Sequence, residues 1–183
     1  MLSLERGTLR LTQLIDNLLE SVRIESGLLD IRQQSIDLRD VMDDAVVTVE
    51  ALLRQRGQHV ESTLAEDLSL NGDAVRLTQV FVNLLANASK FGPQDSVIRM
   101  GAQRDAGALS AWVEDAGPGL PEGAQENVFE RFSRGGVEPA PGGMGLGLSI
   151  SRSIVERHGG TLTASRTADD HTRFTLTLPA ESA

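Results

Sequence analysis

The chain has 183 residues, with 26 acidic against 17 basic side chains and a formal net charge of −9 at pH 7. Because it contains no cysteine, disulfide scaffolds, thiolate metal sites and cysteine nucleophiles are excluded. The acidic balance argues against nucleic acid as a partner, since such proteins need a basic surface that displaces counterions. No apolar run approaches the roughly 18 residues of a membrane helix, and no apolar signal core opens the chain, so we expect a cytoplasmic protein.

The first predicted element is a helix over residues 3–25, ended by Gly27. Its apolar side chains follow the spacing of a coiled-coil seam, at Leu4, Leu11, Ile15, Leu18 and Val22. A seam of this kind favours packing against a partner helix, as in a dimer or a bundle. Packing against the rest of its own chain is the alternative that the spacing leaves open.

Strands and helices alternate over the rest of the chain. Strands are predicted near residues 29–36, 58–64, 68–71, 96–103, 108–114, 161–166 and 173–178, and helices near 38–56, 74–90 and 146–157. Asp37 and Asp73 stand where N-cap residues are expected. We therefore predict an α+β fold: a two-layer α/β sandwich of a mixed, mostly antiparallel sheet with helices on one face, preceded by a coiled-coil-like helix.

Three polar residues share one face of the helix predicted at 74–90. Asn83, Asn87 and Lys90 are spaced by four and three positions, with apolar residues between them. Asparagine is a poor residue for a helix interior, so an ordinary solvated face, which is the alternative, explains the pattern incompletely. Amide oxygens are hard ligands for Mg²⁺ and an ammonium group binds phosphate, so this face is a candidate metal–phosphate site.

The second motif is the turn that follows the strand at 108–114. Asp115 stands at the strand exit, and Gly117 and Gly119 lie on either side of a proline. A carboxylate in this position can accept a hydrogen bond from an exocyclic amine, while the glycines let the backbone approach a flat ring. An ordinary Pro-Gly turn accounts for the same residues equally well if the motif stands alone.

The third motif is the glycine cluster at 142–149, which leads into the helix predicted at 146–157. Glycine-rich backbone before a helix N-terminus can cradle phosphate, because its N–H groups and the helix dipole point the same way. The sequence contains neither the P-loop pattern nor the strand–G-x-G-x-x-G–helix unit of a dinucleotide fold.

In this order, the motifs resemble the ATP-binding catalytic domain of sensor histidine kinases, in the superfamily shared with gyrase, Hsp90 and the DNA mismatch-repair ATPase. Residues 76–91 look like the N-box of that family, 115–119 the first Gly box, 128–132 the F-box and 143–147 the second Gly box. The resemblance implies three parts: the second helix of a partial dimerisation and phosphoacceptor domain at 1–27, an ATP-binding catalytic domain at 28–183, and a lid over ATP at 120–142.

The resemblance also implies roles for matching residues, with ATP and Mg²⁺ as the bound groups. Asn87, helped by Asn83, would hold Mg²⁺ at the ATP phosphates, and Lys90 would contact phosphate. Asp115 would accept the adenine amine, and Phe91 would lie against the adenine or the ribose. The other residues implied to bind the nucleotide are Gly117, Gly119, Phe132, Gly143, Gly145, Leu146 and Gly147.

The implied catalytic residues are Asn83, Lys90 and an arginine of the lid. Arg134 would reach the γ-phosphate, where an arginine stabilises the charge that develops in phosphoryl transfer, and Arg131 is the competing candidate. In the ATPase branch of the superfamily a Glu stands at the position of Asn83 and acts as a general base toward water. Asn83 cannot take that proton, so the resemblance implies that ATP is kept for transfer to another nucleophile.

The phosphoacceptor of the family is a histidine on the first dimerisation helix. His59, His158 and His171 are the histidines of this chain, and none has the neighbours of such an acceptor. We therefore expect the acceptor histidine on a helix outside these 183 residues, and the three histidines present to be structural or at the surface. Membrane anchoring of the full-length protein, if it has any, is expected upstream.

The leading interpretation is the ATP-binding part of a protein-histidine kinase, with a response regulator as the later phosphate acceptor and a homodimer formed through the N-terminal helix. One alternative is a Ser/Thr kinase of the anti-sigma-factor type, against which the N-terminal heptad helix argues. Another is a module that binds nucleotide without chemistry, against which the intact site residues argue.

Overall fold

The computed structural model describes residues 30–105, 107–121, 123–130 and 145–179, together with Leu19 and Val22. The helix predicted at 3–25 therefore lies outside the described residues, except for those two residues, which are both helical. Among the helices that are described, none is both long and apolar enough to cross a lipid bilayer.

Strands and helices follow one another much as predicted along the described part of the chain. In chain order they are β1 (Gln34–Asp37), α1 (Leu38–Gln55), β2 (His59–Leu64), β3 (Ser69–Gly72), α2 (Ala74–Phe91), β4 (Val97–Asp105), β5 (Ala108–Asp115), a short 3₁₀ helix (Asn127–Phe129), α3 (Gly147–Arg157), β6 (Thr161–Arg166) and β7 (Thr172–Pro179). The strand predicted at 29–36 is wrong in extent, because its partner β3 has only four residues to pair with it.

Two sheets form. β1 and β3 make a two-stranded antiparallel ribbon, and the other five strands make a sheet in the order β2-β4-β5-β7-β6. Within the larger sheet β2 and β4 are parallel and all other neighbours are antiparallel. The parallel pair is accessible because β3 and α2 intervene between β2 and β4 and supply the crossover. The prediction of a mixed, mostly antiparallel sheet is confirmed.

One face of the large sheet packs against the helices. Along β5 every second residue is buried, at Leu109, Ala111 and Val113, as expected of a strand with one face in the core. The helices meet this face with apolar stripes of helical period, and in α1 the buried residues are Leu38, Val41, Met42, Ala45, Val49 and Leu53. Together they form one core that holds α2 and α3 in front of the sheet.

Both predicted N-caps are confirmed. The carboxylate of Asp37 accepts from the N–H of Arg39 at 2.8 Å at the start of α1. The carboxylate of Asp73 accepts from the N–H of Arg76 at 3.1 Å at the start of α2, and also from the N–H of Arg32 at 3.0 Å. The bonds from Arg39 and Arg76 satisfy backbone donors that a helix N-terminus leaves without partners.

Candidate functional site

The carboxylate of Asp115 is buried at the end of β5, with only 3% of the residue exposed. One of its oxygens accepts from the N–H of Gly117 at 2.7 Å. Burial raises the pKa of Asp115 to about 6, although the Gly117 N–H and the nearby His171 favour its ionised form. A carboxylate has two acceptor oxygens, so besides the Gly117 N–H it can also accept a donor supplied by a ligand.

Glycine lets the backbone close around this carboxylate. A Cβ on Gly117 would lie 2.6 Å from Oδ1 of Asp115 and 2.8 Å from the backbone oxygen of Phe91. Gly119 has a φ of +74°, and a Cβ there would lie 2.5 Å from the backbone oxygen of Asp170. The loop after β5 is therefore packed between the end of α2 and the β6–β7 turn, at distances that only glycine permits.

Thr172 is a neighbour of this loop that the sequence motifs missed. It is directly opposite Asp115 in the antiparallel pairing of β5 with β7, and it is buried. Its hydroxyl is the kind of group that fixes the orientation of a ligand in a pocket. Only the register of β5 against β7 brings the two residues together, and that register could not be read from a single sequence.

The polar face of α2 lies where its spacing predicts. Asn83 and Asn87 are half-buried, whereas Lys90 is exposed near the end of the helix. The ammonium of Lys90 stands 4.9 Å from the ring centroid of Phe91, which is itself 43% exposed. The same helix end thus presents a cation and an aromatic face beside the loop that holds Asp115.

Asn83 connects α2 to the start of α3. Its amide nitrogen donates to the backbone oxygen of Gly147 and to the hydroxyl of Ser151, each at 3.3 Å. Leu146 occupies the N-cap position of α3 and supplies no side-chain cap. The first N–H groups of α3 are therefore not capped by that side chain, and this is the arrangement in which a helix N-terminus can bind an anion. Gly145, just before, has a left-handed φ of +70°.

The 3₁₀ helix at Asn127–Phe129 is held against the sheet and α3. The ring of Phe129 meets that of Phe174 edge to face, with centroids 6.1 Å apart. The guanidinium of Arg152 lies 5.1 Å from the Phe129 ring and bonds Glu126 at 2.9 Å. The predicted residues Arg131, Phe132, Arg134 and Gly143 lie outside the described residues, as does most of the lid predicted at 120–142.

The histidines occupy the places predicted for them. His59 is exposed at the start of β2, and His171 lies in the β6–β7 turn, 3.5 Å from a carboxylate oxygen of Glu114. Burial alone would raise the pKa of Glu114, but Arg173 and then His171 outweigh it and hold that pKa below its usual value. His158 is buried, and its role is structural: it accepts from the N–H of Asp73 at 3.0 Å and lies 2.8 Å from the backbone oxygen of Ile154.

These features define a class of protein: a nucleotide-binding domain built on a helix-backed sheet. A buried carboxylate followed by two glycines suits the amine of a base, and a helix start that the N-cap side chain of Leu146 leaves open suits phosphate. Asn83 and Asn87 are half-buried, and the oxygens of their side-chain amides are ligands that Mg²⁺ can bind. The residues present therefore fit a nucleotide bound with magnesium.

The comparison with known protein families agrees with this assignment to the nucleotide-binding domains. Residues 72–182, more than half of the chain, match the family described as histidine kinase-, DNA gyrase B-, and HSP90-like ATPase. The chain belongs to that family, and within it to the catalytic ATP-binding domains of sensor histidine kinases, as its relatives show.

Among these relatives, the sensor protein KdpD of Escherichia coli strain K12 is 35% identical over 181 residues, which cover 98% of this chain and 20% of that protein. A solved structure of the mycobacterial sensor histidine kinase MprB has a TM-score of 0.71 and 29% identity, covering 83% of this chain and 100% of that one. The catalytic domain of histidine kinase ThkA has a TM-score of 0.73 and 26% identity, covering 81% and 96%. The chain thus spans a small part of KdpD and most of these isolated domains.

Proposed function

We propose that the chain is the ATP-binding catalytic domain of a two-component sensor histidine kinase. It binds Mg-ATP and transfers the γ-phosphate to a histidine on a dimerisation helix, from which an aspartate of a response regulator receives it. The observation that carries the proposal is the buried carboxylate of Asp115, which lies against Gly117 beside the end of α2. Membership of the family supports ATP as the ligand of that site.

The base would bind at Asp115. The ionised carboxylate accepts the hydrogen bond of the adenine amine, Gly117 and Gly119 leave room for the ring, and Phe91 offers an exposed aromatic face beside it. Thr172, opposite Asp115, supplies a further hydroxyl at the same end of the sheet. Desolvation makes the ionised carboxylate costly even with the bond from the Gly117 N–H, so a hydrogen bond from a ligand amine would offset part of that cost.

The phosphates would lie between α2 and the start of α3. Lys90 supplies a point charge, and the first N–H groups of α3, beginning at Gly147, supply donors. Asn87 and Asn83 would hold Mg²⁺ through their amide oxygens, since the amide nitrogen of Asn83 is already bonded to Gly147 and Ser151. Mg²⁺, when bound, neutralises phosphate charge and orients the phosphate oxygens.

The roles proposed for the remaining residues rest on the resemblance alone. Gly143 and Gly145 would continue the phosphate cradle, and Phe132 would anchor the lid at 120–142 beside the nucleotide. Arg134, or Arg131 in its place, would stabilise the charge on the γ-phosphate during transfer. In that step the histidine nitrogen forms a bond to phosphorus while the bond to the β–γ bridging oxygen breaks and ADP leaves.

The architecture around the domain is part of the same proposal. Residues 1–27 would be the second helix of the dimerisation and phosphoacceptor domain, and residues 28–183 the catalytic domain. The N-terminal helix would form the homodimer of the full-length protein, with the ATP-binding part in the cytoplasm where ATP is present. The acceptor helix and the receiver domain of a response regulator would be its protein partners.

Transfer of label from ATP tests this proposal. The chain is incubated with γ-labelled Mg-ATP, alone and with a dimerisation domain of the full-length protein that carries the acceptor histidine. We expect acid-labile phosphohistidine on the added domain and little label on the chain itself. Strong labelling of the chain, acid-stable label on serine or threonine, or tight ATP binding with no label anywhere would each contradict it. Asp115→Asn serves as the negative control.

A further inference from the structure

We propose that Gln58 is a positioning residue of the nucleotide site. It does not belong to any of the sequence motifs and lies at the junction of α1 and β2, yet it is only 5% exposed. A buried amide is costly unless its donors and acceptor are all bonded, so its partners show which part of the fold needs it. The inference rests on the proposed function, because the site that Gln58 positions is the proposed ATP site.

The partners of Gln58 all lie at the end of α2. Its amide nitrogen donates to the backbone oxygen of Ser89 at 3.1 Å and to that of Pro93 at 2.7 Å. Its amide oxygen accepts from the hydroxyl of Ser89 at 2.6 Å. Ser89 is fully buried, and its carbonyl is one of the groups that the last turn of a helix leaves without an intrahelical partner. One side chain therefore closes the end of α2 and fixes the turn that follows.

Three residues lie between these two anchored carbonyls, and two of them, Lys90 and Phe91, are the ones assigned to ATP. Gly92 follows them, and its backbone oxygen accepts from the guanidinium of Arg56 at 3.0 Å. The backbone oxygen of Phe91 would lie 2.8 Å from a Cβ on Gly117, so a shift of this helix end moves the wall of the Asp115 loop. Gln58 thus acts on the nucleotide through the position of Lys90 and Phe91, without contact with the nucleotide.

A comparison of two Gln→Glu changes tests the role of Gln58. Gln58→Glu keeps the shape of the side chain but removes the donor that bonds two carbonyl oxygens. Gln103→Glu makes the same chemical change at an exposed position of β4 and is the matched control. Ser89→Ala is a milder variant that removes only the hydroxyl bonded to the Gln58 oxygen. Mg-ATP affinity is measured by calorimetry well below the unfolding temperature of each variant.

We expect Gln58→Glu to weaken Mg-ATP binding about tenfold, the loss typical of removing a partner that orients a ligand-binding group, and Ser89→Ala to weaken it less. Gln103→Glu should bind like the unchanged protein. In a Lys90→Ala background the further loss caused by Gln58→Glu should shrink, because the two changes act on one group. Unchanged affinity in Gln58→Glu, or an equal loss in both backgrounds, would overturn the inference.

Amide hydrogen exchange without nucleotide separates the inference from the proposed function. Gln58→Glu should speed exchange at Gly92, whose N–H bonds the Ala88 oxygen, and at Gly117, whose N–H bonds Asp115. Gln103→Glu should leave both rates unchanged. Equal rates at Gly92 and Gly117 in all variants would overturn the role of Gln58 whether or not ATP binds. Absence of Mg-ATP binding by the unchanged protein would overturn only the proposed function.

Discussion

At the scale of single residues, Asp115 carries a conflict between stability and binding. Its pKa is raised from 3.8 to about 6 by burial, so between about pH 4 and pH 6 the folded state binds a proton more readily than the unfolded chain. Its contribution to stability is therefore present at low pH and is lost as the pH rises through 6. Above that pH the ionised carboxylate costs the free protein roughly 3 kcal/mol, and a ligand donor would offset part of that cost.

Asp115→Asn should therefore stabilise the free protein at pH 7 while removing ATP binding. The amide keeps an oxygen for the Gly117 N–H and carries no charge to desolvate, so we expect the free energy of unfolding to rise by about 1–3 kcal/mol. Urea unfolding at pH 7 and at pH 4.5 measures it, and the gain should shrink at the lower pH. A variant less stable than the parent at pH 7, or a gain that does not depend on pH, would show that the carboxylate is not strained.

Sequence reasoning found the residues of the site more easily than the residues that support them. Asp115 and the asparagines stand out in the sequence, because a carboxylate just before a Gly-Pro-Gly turn and amides inside a helix are both unusual without a function. Gln58 and Thr172 give no such signal, since glutamine before a strand and threonine in a strand are ordinary. Their roles follow from tertiary contacts, which residue type and local spacing do not encode.

At the scale of elements, the site depends on how α2 and α3 are held together. Asn83 bonds the start of α3, and His158 at the C-cap of α3 bonds the start of α2. The Nδ1 of His158 faces the backbone oxygen of Ile154, so it donates there, and Nε2 is left to accept from the N–H of Asp73. This tautomer gives the two helices a second polar link, beside that of Asn83 and the apolar packing between them.

His158→Ala should lower the free energy of unfolding by about 1–3 kcal/mol, because it leaves the buried N–H of Asp73 without its acceptor. The backbone oxygen of Ile154 keeps a bond from the backbone N–H of residue 158. His59→Ala is the matched control, since His59 is exposed at the start of β2 and should change stability by less than about 0.5 kcal/mol. Chemical denaturation of both variants at pH 7 gives the comparison. Equal effects of the two changes would mean that the His158 link contributes nothing to holding the helices.

The elements themselves could be predicted within one or two residues where an acidic cap or a glycine marks an end. α2 was predicted at 74–90 and runs over Ala74–Phe91, because Asp73 caps its start and its apolar period is sustained. The pairing of the strands could not be predicted in the same detail. The parallel contact of β2 with β4 and the separate ribbon of β1 with β3 are set by how the helices pack, which no local pattern reports.

At the scale of the whole molecule, the net charge of −9 opposes a tetra-anionic ligand. In the proposed site, local positive charge offsets this repulsion: the ammonium of Lys90, the N-terminus of α3 and the metal that accompanies the nucleotide. Of the 17 basic residues only Lys90 is a lysine, and it lies on the helix face that carries both asparagines. Mg-ATP binding should therefore depend on the position of a positive charge and very little on the net charge of the protein.

Lys90→Ala and Arg54→Ala test that statement, because each removes one positive charge. Arg54 is exposed on α1 and forms a surface ion pair with Glu50. Lys90→Ala should weaken Mg-ATP binding by about tenfold or more, and Arg54→Ala by less than about twofold, since surface charges are screened within about 10 Å. Calorimetric titration of both variants at one ionic strength measures this. Similar losses of affinity in the two variants would mean that binding responds to the overall charge and that Lys90 is not part of the site.

The central claim is that the nucleotide base is held by Asp115, and the carboxyl group itself can report it. With ¹³C-labelled aspartate, the carboxyl resonance of Asp115 is followed against pH in the free protein and with saturating Mg-ATP. We predict a midpoint near pH 6 in the free protein and a clearly lower midpoint with Mg-ATP, because a hydrogen bond donated by the amine favours the ionised form. A midpoint that Mg-ATP leaves unchanged would contradict the account.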